Sequence, residues 1–415
     1  MFSTAPVLKM EREKLMDILR GFAILGIFIA NLRFFSLYDP DTVGTGFHYP
    51  FDKTMSFLHA MFIEGKFYTL FSLLFGWGMA LQLQNTSRQN INPAVLVKRR
   101  LRGMLLFGLL HLFVFWSGDI VAFYAMLGFI LLLFRNMNDK KLLVWSVVLI
   151  LSPILIYFLK MNFLWLNAPA GVLFETGRYV EQHLNNVSPD SRGITVSNTG
   201  SWTEIWKLNI SGFFFRFAYL FFVSRISKVL GVFLIGYMIG RNGHYKKILG
   251  NRPLLIRVAL AGFVIGLPCN YFLARFMENG SDYYNLKING LYQTIVYAFG
   301  VVPLALSYAA IIALAYRSRL LKNILSLLQP VGKMAFSNYI LHSLIGIITF
   351  YGIGFGLGGR FGPSAWTLFA IAVFIFQVFF SHLWLSYFYF GPVEWIWRSI
   401  TYKQWQPMKK ARQQA

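Results

Sequence analysis

One cysteine, Cys269, stands among 415 residues, and acidic residues are also scarce, 16 against 39 lysines and arginines. A single thiol excludes an internal disulfide and any cysteine-based metal cluster. Charged residues of both signs reach only 13%, where a soluble domain carries about 25%. No Gly-Lys-Ser/Thr loop is present, which argues against an ATP-driven pump. No two histidines have zinc-protease spacing, and no metal is expected. The first apolar run lacks a small-residue cleavage site after its charged lead, so it is expected to be retained as a span.

What the chain has instead is apolar length. It is 56% hydrophobic and 18% aromatic, with a mean hydropathy of +0.54. Apolar runs of about 18 residues recur, which is the length that crosses a bilayer as a helix. The runs are continuous rather than alternating, so helices are expected and not a barrel. The expected fold is all-α with ten spans, at 15–34, 55–82, 103–117, 120–134, 142–159, 228–240, 255–276, 291–316, 334–352 and 364–390. The sixth is short and has an uncertain start within Phe213–Val223, a segment that also reads as an interfacial helix. The expected organisation is an N-terminal bundle over 1–160, an extracytoplasmic segment over 161–227 and a C-terminal bundle over 228–415. The long outer segment, about 160–210, reads as a lid or a connector, and the glycines from Gly352 to Gly359 as a flexible outer loop.

A net charge of +23 would suggest nucleic acid in a soluble domain. Here the cations sort by topology. With the N-terminus in the cytoplasm, 25 lysines and arginines fall on inner segments, 7 on outer segments, and 7 within or beside spans. That bias predicts both termini inside and makes the basic charge topogenic. The expected partners are membrane lipids and a small-molecule or lipid-linked substrate, not nucleic acid; homo-oligomerisation stays open. The expected location is a plasma membrane.

The stretch around which the chain is organised is Leu101–Phe134. His111 sits in one apolar run, Trp116-Ser117-Gly118-Asp119 forms a polar apex, and a second apolar run returns. Ionisable groups at such depth are costly and mark function by default, with a packed neutral histidine as the bland alternative. His111 and Asp119 are eight residues apart and are expected to meet across a shallow outward pocket. In the first span Asp17, Arg20 and Asn31 share one face, Asp17 and Arg20 at pairing distance and Asn31 about three turns on. Glu64 and Lys66 are two apart, so each needs its own partner, or Gly65 breaks the helix to line a cavity. Asn338 and His342 share a face in the ninth span, and His59 and His382 are weaker candidates. Glu394 and Arg398 have i,i+4 spacing, and Trp395, Trp397 and Trp405 read as an interfacial belt.

These blocks resemble the YeiB-like family of bacterial inner-membrane proteins. The resemblance is carried by Asp17-x-x-Arg20-Gly-Phe-Ala-Ile-Leu-Gly with Asn31, Gly65-Lys66-Phe, His111 with Gly118-Asp119-Ile, Val331-Gly-Lys-Met-Ala with Asn338-Tyr, and Gly391-Pro-Val-Glu394-Trp-Ile-Trp-Arg398. The last two blocks look like that family's C-terminal domain of unknown function, DUF418. The first helix is also distantly similar to transmembrane acyltransferases. In the O-acetylating kind a histidine commonly stands where this chain has Asn31; in the heparan kind it lies in the following loop, where this chain has only His48 in a different context. The resemblance implies transfer of an acyl group from a cytoplasmic donor, acyl-CoA, to an extracytoplasmic or lipid-linked acceptor. The catalytic residue of those acyltransferases does not carry over cleanly. On this chain's own residues Asp17, Arg20 and the inner loops would receive the donor, Glu64, Lys66, Asn338 and His342 would bind substrate, and His111, Asp119 and Asn31 would be catalytic. The rivals are a transporter with a Glu64–Lys66–His111 relay and a non-catalytic scaffold.

Overall fold

Helices form over the apolar runs, with ends that differ from the expected spans by up to about ten residues, as where Pro93–Leu110 and a further turn to Phe115 take the place of 103–117. The computed structural model describes residues 14–38, 49–87, 92–185, 195–196, 198, 200–278 and 280–410; His48 lies outside them. Among the described residues there is no strand, only one isolated bridge between Phe388 and Lys409. Five helices are long and apolar enough to cross a membrane: α1 (Lys14–Phe35), α6 (Asp139–Asn162), α11 (Arg252–Glu278), α13 (Ile288–Ala315) and α17 (Pro363–Tyr387). A sixth candidate is a bent pair, α8 (Trp202–Phe222) and α9 (Arg225–Gly240) with its continuation to Gly250, broken by 71°.

The remaining elements complete the bundle. They are α2 (Asp52–Phe62), α3 (Lys66–Ser87), α4 (Pro93–Leu110), α5 (Val121–Leu131), α7 (Ala168–Asn185), α10 (His244–Gly250), α12 (Ser281–Tyr284), α14 (Arg319–Ser326), α15 (Gln329–Lys333), α16 (Ala335–Phe350) and α18 (Pro392–Tyr402). Asn92 caps α4 by accepting from the Ala94 N–H at 3.1 Å, with a proline at the first turn. Apolar side chains such as Val264 on α11 and Phe379 on α17 stay outward-facing. A helix bundle solvated by lipid does not need to bury them.

Several expectations are corrected. The span 55–82 is not continuous: Ile63–Gly65 is a turn, because Gly65 takes φ +79, a left-handed conformation that a side chain resists. The short sixth span is the α9 arm of the bent pair, from Arg225, and Phe213–Phe222 belongs to its α8 arm, which extends back to Trp202; Ser224 at φ 50 makes the bend. Much of the long outer segment is helical, as α7 and the start of α8. The glycine loop is tied down, with Gly356 N–H donating to Tyr351 O, Gly358 N–H to Phe350 O, and Gly359 N–H to Ser36 O.

The helices approach closely where glycine removes the side chain. A Cβ at Gly236 of α9 would lie 2.0 Å from Leu73 O of α3, and one at Gly76 of α3 would lie 2.1 Å from Phe233 O of α9. A Cβ at Gly332 of α15 would lie 1.7 Å from Asp17 O, so the Gly-Lys-Met-Ala block docks backbone to backbone on α1. Small residues at such crossings are the usual means of joining helices in lipid. The two halves of the chain therefore interlock through α3 with α9 and α1 with α15.

Candidate functional site

The hairpin of α4 and α5 is held tight by Gly108, whose Cβ would fall 2.2 Å from Ala122 N. At its head α4 widens into a π-helical turn, His111–Phe115, closed by Trp116 N–H donating to His111 O at 2.9 Å. Such turns re-aim side chains and recur at functional sites. Here the turn places His111 inside the bundle, 1% exposed. Its Nδ1 is 2.8 Å from Asp119 Oδ1 and its Nε2 is 2.8 Å from Ser343 Oγ of α16. Asp119 Oδ2 accepts from the Ala122 N–H at 2.6 Å, capping α5. Asp119 is thus a cap and an orienting partner at once. Ser343 had no role in the sequence reading, and no periodicity connects it to His111 across 232 residues.

The expected shallow outward pocket is not where these two residues lie. Both are enclosed, and the ring of Tyr339 covers His111 with centroids 5.1 Å apart. Tyr339 itself lines two cavities. The larger, about 520 Å³, lies at the Asn31 end of α1; the smaller, about 160 Å³, lies at the Arg20 end. Ile27, Ile120 and Tyr339 line both, and each is nearly fully buried. The two cavities therefore meet at these three shared side chains, and His111, which lines neither, packs against one of them, Tyr339.

The other candidates divide between the two ends. Asn31, Glu64 and Gly65 line the larger cavity. Glu64 is 3.8 Å from Arg225, and Lys66 instead donates to Ala60 O at 2.7 Å, fully buried. The turn at Gly65 is what separates them. Arg20 lines the smaller cavity and donates to Asp17 Oδ1 at 3.1 Å. Arg100, Lys333 and Trp397 line the same space, so residues distant in sequence gather there.

Asn338 and His342 do not join the His111 group. Asn338 donates to Ser381 Oγ at 3.1 Å and His342 Nε2 meets Gln377 Oε1 at 2.8 Å, while the His342 ring stacks on Phe28 at 4.0 Å. They tie α16 to α17 and α1. Glu394 accepts from the N–H groups of Phe336 and Ser337 at 2.7 and 3.0 Å, so it caps α16 rather than only facing Arg398. The Trp397 indole donates to Arg100 O at 2.9 Å, which places it inside the protein as well as near an interface. His59 meets Thr367 Oγ1, and His382 meets Leu327 O.

The chain was compared with known proteins. The family described as "Protein of unknown function (DUF418)" matches residues 239–404. "Uncharacterized protein YxaH" of Bacillus subtilis (strain 168) is 33% identical over 429 aligned residues, covering 99% of each chain. "Uncharacterized protein YeiB" of Escherichia coli (strain K12) is 27% identical, covering 94% of this chain and 97% of that one. An "Uncharacterized 39.9 kDa protein in amylase 3'region" of Bacillus acidopullulyticus is 26% identical over 97% of each. No solved structure matches.

Proposed function

The chain belongs to the YeiB-like DUF418 family, and from that premise we propose that it carries an acyl group from a cytoplasmic thioester donor to an acceptor on the far side of a bacterial plasma membrane. The observation that supports this reading is the pair of cavities that share Ile27, Ile120 and Tyr339 as lining. A donor in the smaller cavity and an acceptor in the larger would meet at those side chains. Reaction needs the partners in near contact, and the shared lining provides that without a path for the whole donor. Arg20, Arg100 and Lys333 would face the donor's anionic part and Asn31 the acceptor. The smaller cavity suits an acyl chain or a slender arm rather than an entire coenzyme.

The chemistry is attack of an acceptor hydroxyl or amine on the thioester carbonyl. The carbon–sulfur bond breaks, a carbon–oxygen or carbon–nitrogen bond forms, and the acceptor proton must leave. His111 is the base for that proton through Nε2, which Ser343 Oγ occupies and must release. Asp119 on Nδ1 holds the tautomer, and the proton passes on to the departing thiolate. The Tyr339 ring covers it, so Tyr339 must move aside during the step. A transport reading has its own support in the fully buried Lys66 beside the Glu64–Arg225 pair.

The experiment that separates them uses inside-out vesicles supplied with acetyl-CoA labelled in the acetyl group. Transfer predicts protein-dependent label in a lipid or luminal product, with the coenzyme left outside. Replacement of the base (His111→Gln) should lower that incorporation at least tenfold. Intact labelled donor inside the vesicles, or no protein-dependent label in any fraction, would overturn the transfer reading.

A further inference from the structure

Seven cations fall within or beside spans rather than in the basic inner loops, and four of them, Arg33, Arg216, Arg225 and Lys228, line the larger cavity. Against them, among the described residues, stands one lining carboxylate, Glu64. Charge of one sign concentrated between apolar helices is expensive unless something compensates it. Within the protein the compensation is weak. The Arg225 side chain is 11% exposed, and its carboxylate partner lies 3.8 Å away. Its guanidinium sits 5.0 and 5.2 Å from the ring centroids of Tyr68 and Tyr219. Lys228 Nζ is 3.5 Å from the Tyr297 ring centroid. Aromatic faces hold these cations in place without neutralising them.

The backbone adds to the same field. Both interrupted helices break at this cavity: the turn at Ile63–Gly65 and the bend at Val223–Ser224 bring the N-terminal ends of α3 and α9 to its wall. Helix N-termini carry partial positive charge, and broken spans in membrane proteins commonly aim them at an anion. The tyrosines supply hydroxyl donors, and the Tyr68 hydroxyl has no hydrogen-bond partner among the described residues.

We infer that the larger cavity is a binding site for a phosphate-bearing ligand, its anionic group held by Arg216, Arg225 and Lys228 below the breaks of α2–α3 and α8–α9. The binding stands on the cavity alone; that the bound molecule is the acyl acceptor rests on the transfer reading above. The phosphate belongs either to a lipid headgroup or to a soluble phosphomonoester, and the volume of about 520 Å³ admits a headgroup of either kind.

The test measures binding to the full-length protein in neutral detergent micelles, by native mass spectrometry for lipids and calorimetry for solutes. Probes are phosphatidylglycerol against phosphatidylcholine, and glycerol 3-phosphate against glycerol. Selective retention of phosphatidylglycerol, with glycerol 3-phosphate binding poorly, assigns a lipid headgroup. The opposite pattern assigns a soluble ligand. In either case Lys228→Gln and Arg216→Gln should weaken binding at least tenfold, while Arg360→Gln in the outer loop should not. Arg225 is left intact because it also holds Glu64. No preference for either anionic probe over its neutral or zwitterionic counterpart overturns the proposal, and the wild-type comparison decides this even where a variant fails to fold. Folded variants that bind as wild type does overturn it too. Absent binding leaves labelled acyl transfer standing with an uncharged acceptor, and absent transfer leaves the anion site standing, so the two readings fail separately.

Discussion

His111 has a filled hydrogen-bond inventory and almost no exposure, so deleting it removes more than a base. His111→Ala would leave Asp119 Oδ1 and Ser343 Oγ facing a void. Leaving a buried polar group without its hydrogen-bond partner costs on the order of 1–3 kcal/mol, so this variant is expected to unfold at lower temperature in detergent. His111→Gln is the cleaner probe, since an amide meets both neighbours without a titratable proton. The expected outcome is near-wild-type thermal unfolding with loss of labelled acyl transfer. Full transfer by His111→Gln would reduce His111 to a packing group. The closeness of His111 and Asp119 was readable from an eight-residue spacing over a polar apex. Ser343 was not, because nothing local marks which serine of α16 will face a helix formed far earlier in the chain. The four cavity cations were readable in principle: they are among the few that a topology assignment leaves inside spans, and a cation so placed asks for a partner.

At the scale of elements, close crossings decide which helices meet, and they are visible in sequence only as glycines without addresses. Gly76 and Gly236 show the reason. Either could be a flexible point or a contact, and the distinction rests on the opposing backbone. Gly236→Val is expected to force α3 and α9 apart, because the added Cβ would start 2.0 Å from Leu73 O. Overpacking of this kind costs about 1–3 kcal/mol. Gly171→Ala on α7 is the contrast, having nothing within 4 Å of the new atom. It should be neutral or stabilising by up to about 1 kcal/mol from helix propensity alone. Thermal unfolding of the purified variants checks both, and an equal effect at the two sites would remove the close-crossing argument. The positions of most helices were legible because apolar runs set them. The two breaks were half legible: Gly65 was a candidate, whereas the bend at Ser224 depends on a left-handed serine that no residue-level preference announces.

At the scale of the whole molecule, the expected topology would assign the two cavities to opposite sides of the membrane. Arg20, near the start of α1, and Trp397 of the C-terminal helix line the same cavity, and Arg100 lies 4.3 Å over the Trp397 ring. The beginning of the first helix and the last helix thus sit at one end of the bundle, as an even number of crossings requires. Five long apolar helices, or six with the bent pair α8 and α9, are spans by length and composition; the expected ten would further need α2 with α3, α4, α5 and α16 to cross. The short ones are plausible because a broken or π-widened helix is tolerated at membrane depth where protein covers it. The 25 to 7 distribution of cations, which rests on those ten spans, predicts that this end is cytoplasmic. Reporter fusions after Ala415 and within 161–209 should give opposite compartments, with the basic tail inside. Both reporters on one side would mean an odd error in the span count. If the side they share is the outer one, the smaller cavity lies away from any cytoplasmic thioester and the transfer reading falls with the topology, while the anion site in the larger cavity remains to be assigned to whichever side it faces.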